Sequence, residues 1–149
     1  MRRVLRDRGF TLLELLVVMA VLALVLLVVP PMFSGSLSRA ELGSAAREVA
    51  AGLREARSRA IARNREVAFT LDVDSRRYRI DDEAAARRLP AGSRLSLFTA
   101  RSEQLDEVSG NIRFFPDGSS TGGRVTLGGD ARRYHVVVDW LTGQVSITD

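Results

Sequence analysis

The hydrophobic and polar positions follow three different patterns along the chain. In the first, residues 15–29 are all apolar, and residues 10–29 contain only two polar positions, Thr11 and Glu14. A helix of about 20 residues spans about 30 Å, the thickness of the hydrocarbon core of a membrane. We therefore predict a membrane-spanning helix, although a carboxylate inside such a segment is unfavourable and needs a partner.

A pair of prolines should interrupt this predicted helix. Pro30 and Pro31 follow the apolar run directly. Each proline lacks an amide hydrogen and clashes with the preceding helical turn, so we expect a kink or local break just before residue 30. The membrane segment should then end near residue 33.

The second pattern, over residues 38–64, has the period of an amphipathic helix. Its apolar positions recur at alternating steps of four and three, which places them in one stripe. The other faces carry arginines and glutamates, including the pair Glu55 and Arg59, and are predicted to be solvated. The stripe is rich in alanine, so we expect a sheet to pack closely on it. Its members are Leu42, Ala46, Val49, Leu53, Ala56 and Ala60.

The third pattern is the alternation typical of strands with one buried face. It predicts a hairpin at residues 66–73 and 78–80, and strands at 94–98, 111–115, 124–127, 134–140 and 144–148. Residues 81–88 should form a polar connection and residues 99–110 a mobile loop. The predicted fold class is α+β: one long N-terminal helix, membrane-spanning in its first half, packed on about seven antiparallel strands in two small sheets.

Composition changes this picture in only one respect, the origin of the positive charge. The chain has 149 residues, enough for one domain, and all 22 basic residues are arginines. Four arginines lie in the first nine residues, so residues 10–149 carry 18 arginines against 17 acids. The pI near 10.8 therefore reflects a basic leader rather than a basic domain surface, which argues against nucleic acid as a partner. There is no cysteine, which excludes disulfides and thiolate chemistry.

The arginine cluster at the start also orients the apolar segment. Positive residues are retained on the cytoplasmic side of a membrane, so the N-terminus should stay inside while the remaining chain is exported. A cleaved secretory signal is the alternative, with Ser34-Gly35-Ser36 as a weak cleavage site. The apolar run is longer than the usual core of a signal peptide, and such a peptide gains nothing from Glu14.

The residues at the start of the apolar segment resemble a known processing site. The stretch Gly9-Phe10-Thr11-Leu12-Leu13-Glu14 is similar to that of type IV pilins and type II secretion pseudopilins. The resemblance implies that prepilin peptidase cuts between Gly9 and Phe10 and that Phe10 becomes N-methylated. It also implies that Glu14 pairs with the N-terminal amine of the adjacent filament subunit. The alternative is a Glu14 side chain that only extends to the membrane interface.

Two stretches in the C-terminal half resemble the GspH/FimT group of minor pilin-like proteins. They are residues 114–123 (FFPDGSSTGG) and residues 136–147 (VVVDWLTGQVSI). The resemblance implies a pilin-like fold, in which a proline often stands at the position of Pro31. It divides the chain into a prepilin leader at 1–9, a transmembrane and assembly helix at 10–33 and a periplasmic domain at 34–149. That domain has its helix at 38–64 and its β-region at 66–149.

The implied function is that of a minor pseudopilin, a structural component near the tip of the periplasmic filament that drives folded proteins across the outer membrane. The alternative is a minor type IV pilin acting in pilus assembly or DNA uptake. DNA-binding members carry a terminal G-R-x-R stretch, where this chain has Gly143-Gln144-Val145-Ser146 without either arginine. This difference favours the secretion branch.

The resemblance also implies a set of partners and a location. The partners are prepilin peptidase, other major and minor pseudopilins, the inner-membrane assembly platform and, at the tip, secreted proteins. No cofactor and no enzymatic activity are expected. The chain would cross the inner membrane once, with a cytoplasmic N-terminus and a periplasmic C-terminal domain.

One stretch formally matches the motif of serine hydrolases. Residues 118–122 fit G-x-S-x-G, and Asp130 and His135 follow in hydrolase order. A nucleophile elbow needs a helix after it, whereas a strand is predicted there. His135 alternates with apolar positions in its own strand and should face away from the buried side. Those positions are Tyr134, Val136, Val138 and Trp140.

Two further patterns are incomplete. Asp72 and Asp74 have the spacing of a calcium loop, but Arg76 and Arg77 occupy the places of a ligand and of the required glycine. A phosphate-binding P-loop needs a lysine, and the chain contains none. Neither pattern predicts a metal or nucleotide site.

Overall fold

The apolar N-terminal run forms helix α1, Leu12–Met32. This helix belongs to the first of two compact units, Met1–Gly35, in a computed structural model that describes residues 11–32, 39–90, 94–128 and 132–149. The helix includes Pro30 and Pro31 and ends one residue after them, so it is assigned without interruption through the position where a kink or local break was expected, and the kink stays a prediction. A proline removes one amide donor and crowds the preceding turn, which strains a helix without necessarily ending it. Over the described residues, no helix combines the length and apolarity that a membrane span requires.

Helix α2, Arg39–Arg63, opens the second unit, Ser36–Asp149, and confirms the helix predicted at 38–64. Its buried face contains the predicted stripe, widened by further alanines and by Gly43 and Gly52. A Cβ on Gly52 would lie 2.9 Å from the ring of Tyr78, so the glycine allows that ring to approach the helix. Small residues on this face thus bring the sheets close to the helix axis.

The described residues form eight strands after α2, one more than the seven predicted. They are β1 Val67–Asp72, β2 Arg77–Ile80, β3 Arg87–Arg88, β4 Arg94–Thr99, β5 Ser109–Phe114, β6 Gly123–Gly128, β7 Arg133–Val138 and β8 Val145–Thr148. They form two antiparallel sheets of four strands, in the orders β3-β2-β1-β5 and β4-β6-β7-β8. This confirms the prediction of two small sheets.

Two connections have more structure than their sequences predict. The polar segment 81–88 supplies β3, which pairs with β2. The predicted loop at 99–110 contains a 3-10 turn, Arg101–Glu103, and the first residues of β5. Glu103 is buried and accepts hydrogen bonds from Arg113 at 3.0 and 3.3 Å. An ion pair between the buried Glu103 and the half-buried Arg113, rather than an apolar pattern, therefore orders this segment.

The core lies between α2 and the inner faces of both sheets, since α2 contacts strands of each. The rings of Phe69 and Tyr78 stack with their centroids 5.0 Å apart. Strand β7 ends at Val138, so Trp140 lies in the turn that follows and does not continue the predicted alternation. The largest fully buried side chains are Phe69, Phe114, Leu53, Leu71, Ile80, Ile112, Leu127, Val49, Val67, Val125 and Val136.

Candidate assembly helix and signature turns

Helix α1 begins with a capping interaction between Thr11 and Glu14. Thr11 precedes the helix, and its Oγ1 accepts a hydrogen bond from the Glu14 amide at 3.2 Å. Its carbonyl accepts one from the Leu15 amide, also at 3.2 Å. Such a side chain satisfies an amide that has no partner within the helix. Thr11 is absent from the functional residues predicted above, although T-x-x-E is the spacing of a capping box.

Glu14 lies in the first turn of α1 with its side chain exposed. A carboxylate in this turn faces the positive end of the helix dipole, which is favourable. Gly9 and Phe10, the predicted cleavage and methylation residues, lie outside the described residues. The pairing of Glu14 with an N-terminal amine therefore stays a prediction.

From Leu12 to Leu24, the side chains of α1 are exposed on every side of the helix. Leu12, Leu13 and Leu24 are 80%, 73% and 68% exposed within the chain. A helix that is hydrophobic all round is normally covered by lipid or by other helices. This part of α1 thus presents an apolar surface of the kind that assembly or membrane insertion would cover.

The two stretches that carry the second resemblance lie side by side as turns. We name residues 115–119 and 139–144 the signature turns, and both close with backbone hydrogen bonds of 2.9 to 3.0 Å. The Ser120 amide, just after the first turn, donates to the Trp140 carbonyl of the second at 2.9 Å. The two stretches therefore form one structural element, although some twenty residues separate them in sequence.

Arg57 of α2 binds both signature turns. Its Nε donates to the Gly118 carbonyl at 3.0 Å, and its Nη2 donates to the Thr142 carbonyl at 2.9 Å. Arg54 donates to the Val145 carbonyl of β8 at 3.2 Å. A guanidinium holds its donors in a fixed plane, which suits two carbonyls at once. The face of α2 that was predicted to be solvated therefore contacts the β-region through these two arginines.

The hydroxyls of the G-x-S-x-G stretch take part in local structure. Ser119 donates to the Asp117 carboxylate at 2.6 Å, and Ser120 donates to the Arg113 carbonyl at 2.8 Å. Strand β6 follows the stretch, as predicted, in place of the helix that a nucleophile elbow needs. These contacts give both serines a structural role. Asp130 lies outside the described residues.

His135 lies on the outer face of the second sheet, as predicted. Its Nδ1 is 3.0 Å from Thr126 Oγ1 on the neighbouring strand, while Val136 and Val138 of the same strand are buried. Asp72, considered above as a calcium ligand, accepts a hydrogen bond from the Ser75 amide at 2.8 Å and stabilises its turn. Over the described part of the chain, no group of three or more His, Asp or Glu side chains is arranged to hold a metal ion.

An ion-pair cluster joins α2 to the first sheet. Glu55 accepts a hydrogen bond from Arg87 at 2.8 Å and another from Arg59, which also pairs with Glu83. The predicted pair of Glu55 and Arg59 is thus confirmed as part of a larger network. The hydrogen bond from Arg87 is the main cause that lowers the pKa of Glu55 below its ordinary value.

The sequence matches known families along most of its length. The family described as Type II transport protein GspH matches residues 45–143, and the prokaryotic N-terminal methylation motif matches residues 5–30. The Type II secretion system protein H of Xanthomonas campestris pv. campestris is 37% identical over 138 residues. That alignment covers 93% of this chain and 81% of the relative.

Two solved structures share the fold. The minor pseudopilin EpsH from the type 2 secretion system of Vibrio cholerae has a TM-score of 0.56 at 16% identity, over 72% of this chain and 96% of its own. The type IV minor pilin FimU of Pseudomonas aeruginosa has a TM-score of 0.55 at 18% identity, and the match covers 74% of this chain and 90% of FimU. These likenesses confirm the predicted pilin-like fold, and the sequence matches distinguish secretion from pilus. The chain belongs to the GspH family of type II secretion minor pseudopilins, which are structural filament components and not an enzyme family.

Proposed function

We propose that prepilin peptidase removes residues 1–9 by cleavage between Gly9 and Phe10, and that Phe10 is then N-methylated. Residues 10–33 hold the subunit in the inner membrane with a cytoplasmic N-terminus, and residues 34–149 form the periplasmic domain. The methylation motif over residues 5–30 and the arginines of the leader support this arrangement.

The capped start of α1 is the observation that carries the proposal for assembly. Because Thr11 and Glu14 order the first turn, Glu14 has a defined position close to the N-terminus that cleavage creates. An isolated carboxylate among apolar groups is strongly unfavourable. The α-ammonium of Phe10 in an adjacent subunit removes that penalty, so Glu14 fixes the axial register of neighbouring helices.

The periplasmic domain acts in contacts outside the membrane. It lies near the tip of the pseudopilus, where it meets other pseudopilins and secreted proteins, while the inner-membrane assembly platform receives the membrane segment. The role is mechanical, with no cofactor and no catalysed reaction. Membership of the GspH family, whose members are structural filament components, supports this role.

Intact mass measurement and N-terminal sequencing of the membrane-extracted protein test the processing step. We expect a chain of 140 residues that starts at N-methylated Phe10. Gly9→Val should retain the leader, because a branched side chain before the scissile bond blocks close approach to a buried peptidase site. The matched variant Gly35→Val should be processed normally. A start near residue 37 would instead show an ordinary signal peptide.

A further inference from the structure

A groove of about 890 Å³ opens at one end of the second sheet, beside the turn that follows β7. Phe98 and Trp140 line it and are 75% and 66% exposed. Exposed aromatic side chains grouped around one concavity are typical of interaction sites. Gly122 forms part of the wall, and a Cβ there would lie 3.0 Å from the Trp140 Cβ, so the glycine leaves room for the indole.

The backbone that carries Trp140 is fixed on both sides. Its carbonyl accepts a hydrogen bond from the Ser120 amide at 2.9 Å. The preceding Asp139 carboxylate accepts from the Leu141 and Thr142 amides at 3.1 and 2.8 Å and from the Thr142 hydroxyl at 2.8 Å. An exposed anchor on a rigid turn loses little conformational entropy on binding. The backbone that presents Trp140 is therefore preorganised for a partner.

The groove combines this apolar surface with positive charge. Arg101 lines it, and Arg124 stands directly opposite Phe98 on the neighbouring strand, so the two side chains share a face. Neither arginine forms an ion pair with any residue that the structure describes. The carboxylate of Asp139, which also lines the groove, is engaged by its own turn. The groove thus complements an apolar side chain that lies next to a carboxylate.

We propose that the groove between Phe98 and Trp140 docks an extended segment of a neighbouring pseudopilin, one that carries a large apolar side chain beside an aspartate or glutamate. Tryptophan and arginine are the residues most enriched at binding hot spots, and charges at the rim speed encounter with an oppositely charged partner. The proposal names a surface and a partner chemistry for filament assembly, and it rests on membership of the pseudopilin family.

Single-stranded nucleic acid is a less suitable occupant, although its bases also stack on aromatic side chains. A nucleic-acid strand needs a continuous basic track for its phosphates. Among the described residues, Arg101 is the one arginine that lines the groove and Arg124 stands beside it, and residues 10–149 carry a net charge of only +1. A protein segment with one large apolar side chain and one or two carboxylates matches the charge of the groove better.

Site-specific photo-crosslinking in assembled filaments tests the proposal. The full-length chain, co-expressed with the other pseudopilins of its own system, carries a photoreactive residue at position 98 or 140. The matched control is position 105, because Leu105 is also apolar and 59% exposed but does not line the groove. We expect adducts from positions 98 and 140 that map to an acidic segment of one pseudopilin, at least fivefold above position 105. Adducts only with secreted proteins or nucleic acid, or equal labelling at position 105, would overturn the proposal.

Two substitutions separate the apolar and the charged contributions. In chains with the crosslinker at position 98, Trp140→Ala and Arg124→Glu should each reduce the adduct about tenfold, whereas Leu105→Ala should not. Because these side chains are exposed, thermal unfolding should stay close to that of the parent chain. The N-terminus should still start at Phe10, so this outcome is independent of the processing test. An unchanged adduct in both groove variants would contradict the proposed docking mode.

Discussion

Gly143 and Gly118 meet at a contact that only glycine at position 143 permits. A Cβ on Gly143 would lie 2.1 Å from the Gly118 carbonyl oxygen, and the backbone of Gly143 has a φ of +61°. The same carbonyl accepts the hydrogen bond from Arg57. One close backbone contact and one arginine therefore hold the two signature turns together.

Gly143→Ala should lower the free energy of unfolding by about 2–4 kcal/mol, because the added methyl group collides with backbone and the φ is strained. Denaturant titration of the purified protein in detergent, followed by the fluorescence of the single tryptophan, measures this change. Gly43→Ala in α2 is the control, since its nearest neighbour would be 3.5 Å away. That variant should gain about 0.5–1 kcal/mol from lower chain entropy. Equal effects of the two substitutions would contradict the assigned contact.

Arg57→Ala should destabilise the protein by about 1–3 kcal/mol, because two carbonyls lose a charged donor. Arg57→Lys should recover only part of that loss, since an ammonium cannot reach both acceptors with the geometry of a guanidinium. The same titration measures both variants. Arg47→Ala, an exposed change on the same helix, should stay within about 0.5 kcal/mol of the parent chain. Full stability of the lysine variant would show that charge alone is sufficient.

The cluster around Glu55 predicts a loss of stability in acid. Arg87 lowers the pKa of Glu55 in the folded state, so the stabilisation is complete above the unfolded pKa of about 4.5 and is lost as the pH falls through the lower folded value. The melting temperature of the parent chain should fall more steeply below about pH 5 than that of Glu55→Gln. Glu55 is partly exposed, so solvent screening keeps the difference small.

A double-mutant comparison assigns this pH dependence. In an Arg87→Ala background, adding Glu55→Gln should change the dependence of the melting temperature on pH much less than it does in the parent chain. The reason is that the main cause of the lowered pKa of Glu55 is gone. The measurement is the melting temperature at a series of pH values. Parallel curves for the parent chain and Glu55→Gln would show that Glu55 does not contribute.

Glu14→Gln should leave the start of the mature chain at Phe10 but reduce filament assembly about tenfold or more, because the amide cannot neutralise a neighbouring ammonium. Glu14→Asp is the matched control, which keeps the charge and should retain part of the assembly. Sedimentation of sheared filaments with immunodetection measures assembly, and intact mass measures processing. Normal assembly of the glutamine variant would leave Glu14 without its proposed role.

Sequence periodicity was sufficient to predict the parts of the fold in which apolar residues repeat. The apolar stripe from Leu42 to Ala60 predicted α2, and the alternation within β1 predicted which face of that strand is buried. Both patterns reflect burial on a regular backbone. Two arginines form β3, and their strand pairing depends on the adjacent β2, so no local pattern could indicate it. Likewise, no local pattern could indicate the structure of residues 99–110, which the ion pair of Glu103 and Arg113 orders.

The contacts of the candidate site depend on tertiary structure to different degrees. Thr11 could have been assigned as a cap from its spacing to Glu14, since that interaction is local. Arg57 donates to two carbonyls that lie 61 and 85 positions further along the chain. Arginines on a helix are otherwise typical of a solvated face, so the sequence alone does not indicate these contacts. Trp140 was expected to continue a strand. Instead, the Asp139 carboxylate accepts hydrogen bonds from the Leu141 and Thr142 amides and stabilises a turn that contains Trp140.

The small side chains of α2 have a consequence for how the helix is held in place. A smooth surface lets two sheets come close but provides few ridges that resist sliding along the helix axis or rotation about it. Polar contacts flank this surface on both sides: Arg54 and Arg57 towards the second sheet, Glu55 towards the first. The alanines and glycines therefore determine how near the helix lies, and the flanking charged residues determine its lateral registry.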